Sequence, residues 1–394
     1  MTACGVCPIQ AAQLVTPPQS PDSKHQEINS KSDKTDSATT DVEITTTIPT
    51  NSEEKARAAV QSAFKHSNRE LTIRFKVKAI VGFGANGVIL AAIDSLSMSN
   101  VAIKIIYKTK SQINQQQPPK EIASLVSLNE KCRSKLILRA HCAWQDWFHF
   151  YLVTNLFGSN WATSNMLEPI TFKTQSSKTM LFHSFPFSTG ASDLWAWSAM
   201  YRSAANSALL SSRLPSHVVK HIAHSCFTAV SEIHESGFYH GDIKLENILV
   251  QKTHDDTKLS IMIADFGQTE RVEHRIMHYG TVEMSAPEFL PDSPFNNAGV
   301  IEAAWIDGRG TDVFALGMML FLLLSETGVL PAVVSDGGRG YHELFAANNG
   351  KFPFYDDEIA DFEEIALGLV DGMCRVDPAE RFTLQEALKH EWFN

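Results

Sequence analysis

The stretch YHGDIKLENILV, residues 239–250, sets one carboxylate, Asp242, directly behind a His–Gly pair. Lys244 stands two positions on, Asn247 three beyond that, and an apolar run from Ile248 follows at once. A carboxylate, an ammonium and an amide are thus crowded into six residues just ahead of a segment that reads as a buried strand. What chemistry wants those three groups together is a question for the rest of the chain.

The chain has 394 residues, 44% hydrophobic and 20% charged, which suits an ordinary globular protein of two or three units plus linkers. A formal charge of −10, with no long Lys/Arg run, argues against a nucleic-acid binder. Cysteines at 4, 7, 132, 142, 226 and 374 make no paired framework, which fits a reducing, intracellular compartment, cytoplasmic or nuclear. The CGVC pair near the start lacks the second Cys or His pair that a zinc site needs. No basic start followed by an apolar stretch marks a secretory signal. The longest apolar run, VFALGMMLFLLL (313–324), is too short to cross a bilayer, so we expect a buried core helix and no membrane insertion.

Residues 1–68 differ from the remainder. KSDKTDSATTDVEITTTIPT (31–50) holds nine Ser/Thr in twenty residues, and no Phe, Tyr or Trp precedes Phe64. Such a composition cannot offset its ordering entropy, so a disordered, Ser/Thr-rich leader is expected, with a short helix over 52–64 and scope for phosphorylation. From 71 on, LTIRFKVKAIV, VILAAI and NVAIKIIY read as strands, PPKEIASLVSLNEK (118–131) as a helix, and HCAWQDWF and FYLVTNLF as two further strands. That gives a small antiparallel sheet with one helix over 71–157. Residues 158–394 read as mainly helical, with loops inserted at about 159–191 and 291–309. A strong helix over 215–237 is framed by Pro215 and Gly237. The fold class is α+β, with two lobes.

GFGANGV (82–88) lies between two strands, which argues against a dinucleotide-binding βαβ unit and leaves a glycine loop able to lie over a nucleotide, or a plain hairpin. Lys104 sits mid-strand between Ile103 and Ile105 and needs a counter-charge, for which Glu121 in the following helix is the candidate. His217, His221 and His224 fall near one helix face without a carboxylate or Cys to complete a metal site, so they read as surface histidines.

Glycine loop, VAIK, the helical Glu, HGDIKLEN, ADFG (264–267) and SAPE (285–288) stand in the order and spacing of the eukaryotic protein kinases, and DVFALG (312–317) and DPAERFT (377–383) extend the resemblance over roughly 71–393. The HGD…N loop is also similar to small-molecule kinases of the aminoglycoside and choline type, but those lack the APE, DVFALG and late-Arg signatures present here. The resemblance implies a protein kinase domain over 69–394, of Ser/Thr type, using ATP and Mg²⁺ on protein substrates that bear Ser or Thr.

By that resemblance Lys104, positioned by Glu121, holds the α/β-phosphates; Asn247 and Asp265 ligate magnesium; Asp242 accepts the substrate's proton. Lys244 steadies the γ-phosphate, and Thr281 links Asp242 to Lys244. Gly82, Gly84 and Gly87 form the phosphate loop, while Val88, Ala102 and Leu249 sandwich the adenine. Thr154 lies beside the pocket, with Asn155 to Phe157 as hinge. Leu125, His240 and Phe266 stack as an apolar column, Glu288 pairs with Arg381, and Asp312 braces the catalytic loop. Glu246 is a carboxylate for a basic substrate residue. Two departures stand out. Gly241 replaces the Arg that in regulated relatives pairs with a phosphate on the activation segment, so independence from phosphorylation of 268–284 is expected. Met284 replaces a Tyr. These two keep a second reading open, a kinase-fold scaffold with little catalysis; a small-molecule kinase is a third. Regulatory partners would act through the leader and the inserted loops.

Overall fold

A computed structural model describes residues 52–66, 70–84, 86–109, 112, 117–158, 169–173, 179–183, 193–207, 212–252, 259–274, 280–289, 307–328, 348, 352 and 364–394. It begins with α1 (Ser52–His66), whose Ala56, Ala59, Val60 and Ala63 recur every three or four residues and are all buried. A π-helical turn (Glu70–Arg74) leads into β1 (Phe75–Phe83), β2 (Gly87–Asp94) and β3 (Ser99–Tyr107). Then come α2 (Lys120–Lys131), β4 (Ala140–Gln145) and β5 (His149–Asn155). The five strands form one antiparallel sheet in the order β1-β2-β3-β5-β4.

The leader reading needs correcting at its end. α1 lies on the sheet, its four apolar residues sharing a cluster with Leu71, Phe75, Leu90, Ile103 and Val153, so the small lobe starts at Ser52 rather than 71. Leader composition as a whole hides this, because one short apolar stripe is enough once a sheet face is there to receive it. Residues 1–51, including the Ser/Thr-rich stretch, lie outside the described residues.

The span 159–191, read as an irregular loop, contains an antiparallel hairpin of β6 (Pro169–Lys173) and β7 (Thr179–His183). The helical part follows with α3 (Leu194–Ser207) and α4 (Ser216–Glu235), the latter ended by Gly237 at φ +83°. Short strands β8 (Phe238–Tyr239), β9 (Ile248–Lys252), β10 (Leu259–Ile263) and β11 (Glu270–Arg271) pair as β8–β11 and β9–β10 ribbons. α5 (Gly308–Leu324) is buried along nearly its whole length, as its unbroken apolar sequence requires. Asp307 caps it by accepting from the Arg309 N–H at 2.9 Å, so the second insertion closes by 307 rather than 309, and 291–306 are not among the described residues. α6 (Glu364–Met373) and α7 (Leu384–Leu388), which Thr383 and Glu386 open as a capping box, complete the lobe. No helix of the described residues is long and apolar enough to cross a membrane.

Glu288 and Arg381, 93 residues apart, meet in a bidentate pair at 2.8 and 2.5 Å with both side chains almost fully buried. Arg381 also donates to the carbonyls of Arg375, Gly310 and Val376. Removing one partner strands a charge in the interior. Arg381→Leu should therefore cost about 3–5 kcal/mol in urea unfolding, and the double change with Glu288→Leu should recover part of that loss.

Candidate active site

Between sheet and helical lobe lies a cavity of about 220 Å³. Val81, Ile89 and Ala102 line it from the small lobe and Leu249 from β9; Leu138, Leu152 and Thr154 close it off, with Asn155, Leu156 and Phe157 also lining it. A mostly apolar lining of this kind suits an aromatic ring. Of the residues read as the nucleotide pocket, Ala102, Leu249, Thr154, Asn155 and Phe157 line this cavity. Val88 does not. It is fully buried in the outer cluster beneath α1. Cross-strand partners share a face: Val88 is opposite Ile105, whereas Ile89 is opposite Lys104 and faces the cleft. A slip of one residue turns a strand side chain to the other side of the sheet. Gly82, Gly84 and Gly87 shape the β1–β2 turn, closed by the Gly84 N–H to the Gly87 carbonyl at 2.9 Å, and do not line the cavity itself.

Deeper in, Lys104 Nζ lies 2.5 Å from Glu121 Oε1 and 3.9 Å from Asp265 Oδ1. Burial alone would push the ammonium down, but the charges of Glu121 and Asp265 outweigh it and raise Lys104 above its ordinary range. Burial likewise opposes the Asp265 charge, yet Lys104 and the Gly267 N–H hold its carboxyl below the usual range. Asp265 sits at φ +61°, a costly conformation for a side-chain-bearing residue. Next to it Phe266 packs on His240, ring centres 5.1 Å apart, and Leu125 belongs to the same core.

The catalytic-loop residues hang from Asp312. Its buried carboxylate accepts the His240 N–H at 2.7 Å and the Gly241 N–H at 3.0 Å, with His234 Nε2 at 3.0 Å. Gly241 takes φ +80°, and its carbonyl accepts the Gly280 N–H at 2.9 Å. A Cβ at Gly280 would come within 2.6 Å of Asp242 Cγ, so that backbone can lie against the carboxylate only as glycine. Asp242 accepts from Thr281 Oγ1 at 2.5 Å and Asn247 Nδ2 at 3.1 Å, with Lys244 Nζ at 3.1 Å; Lys244 also donates to Thr281 Oγ1 at 2.9 Å. Since Asn247 spends its NH₂ on Asp242, its amide oxygen is the end available to a cation.

The family described as protein kinase domain matches residues 198–393. Residues 198–393 belong to the protein kinase family. The serine/threonine-protein kinase H1 homolog of Danio rerio is 32% identical over 168 residues, 41% of this chain and 35% of its own length. Calcium/calmodulin-dependent protein kinase type 1B of Homo sapiens is 30% identical over 177 residues, 44% of this chain and 46% of its own. CBL-interacting protein kinase 20 of Oryza sativa subsp. japonica is 30% identical over 187 residues, 46% of this chain and 36% of its own. The chain thus matches under half the length of these kinases. The family match starts inside α3, so it is the geometry of Lys104 and Glu121 that ties the small lobe to the kinase architecture.

Four cavity-lining residues escape the sequence reading: Val81, Ile89, Leu138 and Leu152. So does Asp193, which forms a bridge with cleft-lining Leu249 and caps α3 through the Ala196 N–H at 2.8 Å. Burial pushes its carboxyl up. It follows the long insertion, where no motif points to it. His217, His221 and His224 are exposed on α4; His221 Nε2 reaches the Leu259 carbonyl at 2.6 Å and His224 packs edge-on against Phe393. Among the described residues no cluster of three His, Cys, Asp or Glu side chains could hold a metal.

The register of β2 makes a paired test. Ile89→Ala should weaken nucleotide binding about fivefold by calorimetry, from the apolar area lost at the ring. Val88→Ala should cost about 2 kcal/mol of stability and leave that affinity within about twofold.

Proposed function

We propose that this chain is a Ser/Thr protein kinase that transfers the terminal phosphoryl group of ATP to protein hydroxyls. The observation that carries the reading is the Asp242–Lys244–Thr281 triangle, set across the cleft from Lys104, Glu121 and Asp265. In such a transfer the protein supplies alignment and charge rather than covalent chemistry. Lys104, kept protonated and aimed by Glu121, binds phosphate oxygens. Asp242 receives the hydroxyl's hydrogen bond and then its proton, exchanging the one it now accepts from Thr281. Lys244 meets the charge that grows on the transferring group, and Thr281 holds both in register; a threonine in that bridging place is what favours Ser/Thr over Tyr acceptors.

Asp265 and the Asn247 amide oxygen are hard donors that fit magnesium. Two protein oxygens do not cage such an ion, so phosphate oxygens would complete its shell; when bound, it supplies charge neutralisation between the phosphates. Glu246, exposed at the cavity's edge, is the carboxylate we assign to a basic substrate residue. Among the described residues the cysteines at 132, 142, 226 and 374 form no disulfide, in keeping with a reducing, intracellular setting. Regulatory contacts are placed in residues 1–51 and the two insertions.

We further propose that activity does not wait on phosphorylation of residues 268–284. Position 241 offers no cation to a phosphate, and its backbone is already engaged at both ends, to Asp312 and to Gly280.

Asp242→Asn and Lys104→Met should each lower transfer from radiolabelled ATP by about 10²–10³-fold or more, with thermal unfolding little changed in the first and lowered in the second, which leaves Glu121 unpaired. Protein and small-molecule acceptors are run side by side. No transfer by wild type to either would favour the scaffold reading, and transfer to the small acceptor alone would favour a metabolite kinase. Phosphatase treatment should leave the wild-type rate unchanged; a loss reversed by re-phosphorylating the segment would overturn the second proposal.

A further inference from the structure

A set of contacts between α2 and residues 268–274 has no part in the chemistry above. Lys120, the first residue of α2, places Nζ 3.5 Å from Glu270 Oε2 and 3.4 Å from the Gln268 carbonyl. One turn later Ser124 Oγ donates to the Thr269 carbonyl at 2.9 Å. The other Glu270 oxygen, Oε1, faces His274 Nδ1 at 2.8 Å and the Arg271 N–H at 3.2 Å. Burial works against the charge on Glu270, but His274, the Arg271 N–H and Lys120 outweigh it and hold the carboxyl below its ordinary range.

Two of these residues, Thr269 and Glu270, are fixed on their far side to the catalytic loop. Glu270 pairs with Tyr239 in the β8–β11 ribbon, and the buried Thr269 Oγ1 donates to the His240 carbonyl at 3.0 Å. Glu121 lies between Lys120 and Ser124 on one turn of α2, so fixing those two also fixes the rotation that presents Glu121 to Lys104.

We infer that Glu270 is a positioning residue: its carboxylate clamps α2 to the catalytic loop in the arrangement that joins Lys104 to Glu121. This deepens the kinase reading and rests on it. Lys120 and Glu270 are both partly exposed, at 48% and 32%, so solvent screens the pair. Exposed pairs of this kind shift an equilibrium only about 1.5- to 5-fold, a tuning effect rather than an on–off switch.

The test uses the full chain. Glu270→Lys should lower kcat on a Ser/Thr peptide about three- to fivefold with peptide KM within about twofold, and should raise deuterium uptake over Lys120–Lys131. The swap Lys120→Glu with Glu270→Lys should return at least half of the lost kcat and protection. A Glu270→Lys variant with unchanged kcat and uptake sinks the clamp. So does a lower Tm alone with kcat intact, or a swap no better than the single change. If the wild type shows no transfer, the kinase reading fails, and deuterium uptake in the single and swapped variants still decides the clamp.

Discussion

An ammonium in the middle of an apolar strand is the constraint from which the small lobe follows. Ile103 and Ile105 turn into the cluster beneath α1, so Lys104 between them must face the other way. A buried charge left alone there would cost several kcal/mol. Its partner has to come from an element that the sheet can hold rigidly at that depth. α2 serves because Ile122, Leu125 and Leu128 seat it in the core while Glu121 points to Lys104. Asp265, 3.9 Å from the same ammonium, then joins the helical lobe to the small one through charge rather than packing.

The helical lobe repeats the device. α5 is apolar almost throughout, and Asp312 is a carboxylate inside it that is fully out of solvent. The backbone turn at His240 and Gly241, together with His234, meets that charge. At the far end of α5 the buried Arg202 guanidinium, from α3, caps the carbonyls of Leu322, Ser325 and Glu326. Glu288 with Arg381 makes a third such case. A polar group in an apolar setting penalises every arrangement except the one that pairs it, and three of them together leave the catalytic loop little choice of position.

Much of this was legible because the informative residues come in short runs whose spacing carries meaning. HGDIKLEN, ADFG and SAPE each fix a turn of backbone, and VAIK fixes a face of a strand. What was not legible depended on contacts across the sheet. Val88 was taken for Ile89 since a glycine loop alone does not say which strand position pairs with Lys104; the β2–β3 register does. α1 was read as the end of a disordered leader because its four small apolar residues mean little until the sheet's outer face receives them. The hairpin at 169–183 has no period-2 pattern strong enough to announce it. Glu270 belongs to no motif, and only its place beside Lys120 and His274 gives it more to do.

Asp265 shows why the site's order has to be held from several sides at once. Its φ of +61° is unfavourable by roughly 1–3 kcal/mol, so the residue would relax if left to itself. The Gly267 N–H holds its carboxylate at 3.3 Å, and Lys104 attracts it from the opposite lobe. Phe266, buried against His240, prevents the backbone from swinging out. His240 in turn accepts the Asp242 N–H at Nδ1 and bonds the Ala264 carbonyl through Nε2, so one imidazole joins the two backbone segments that carry Asp242 and Asp265. Displacing any one of these supports moves Asp265 and Asp242 relative to each other, and for a phosphoryl transfer that relative position is most of what the protein contributes.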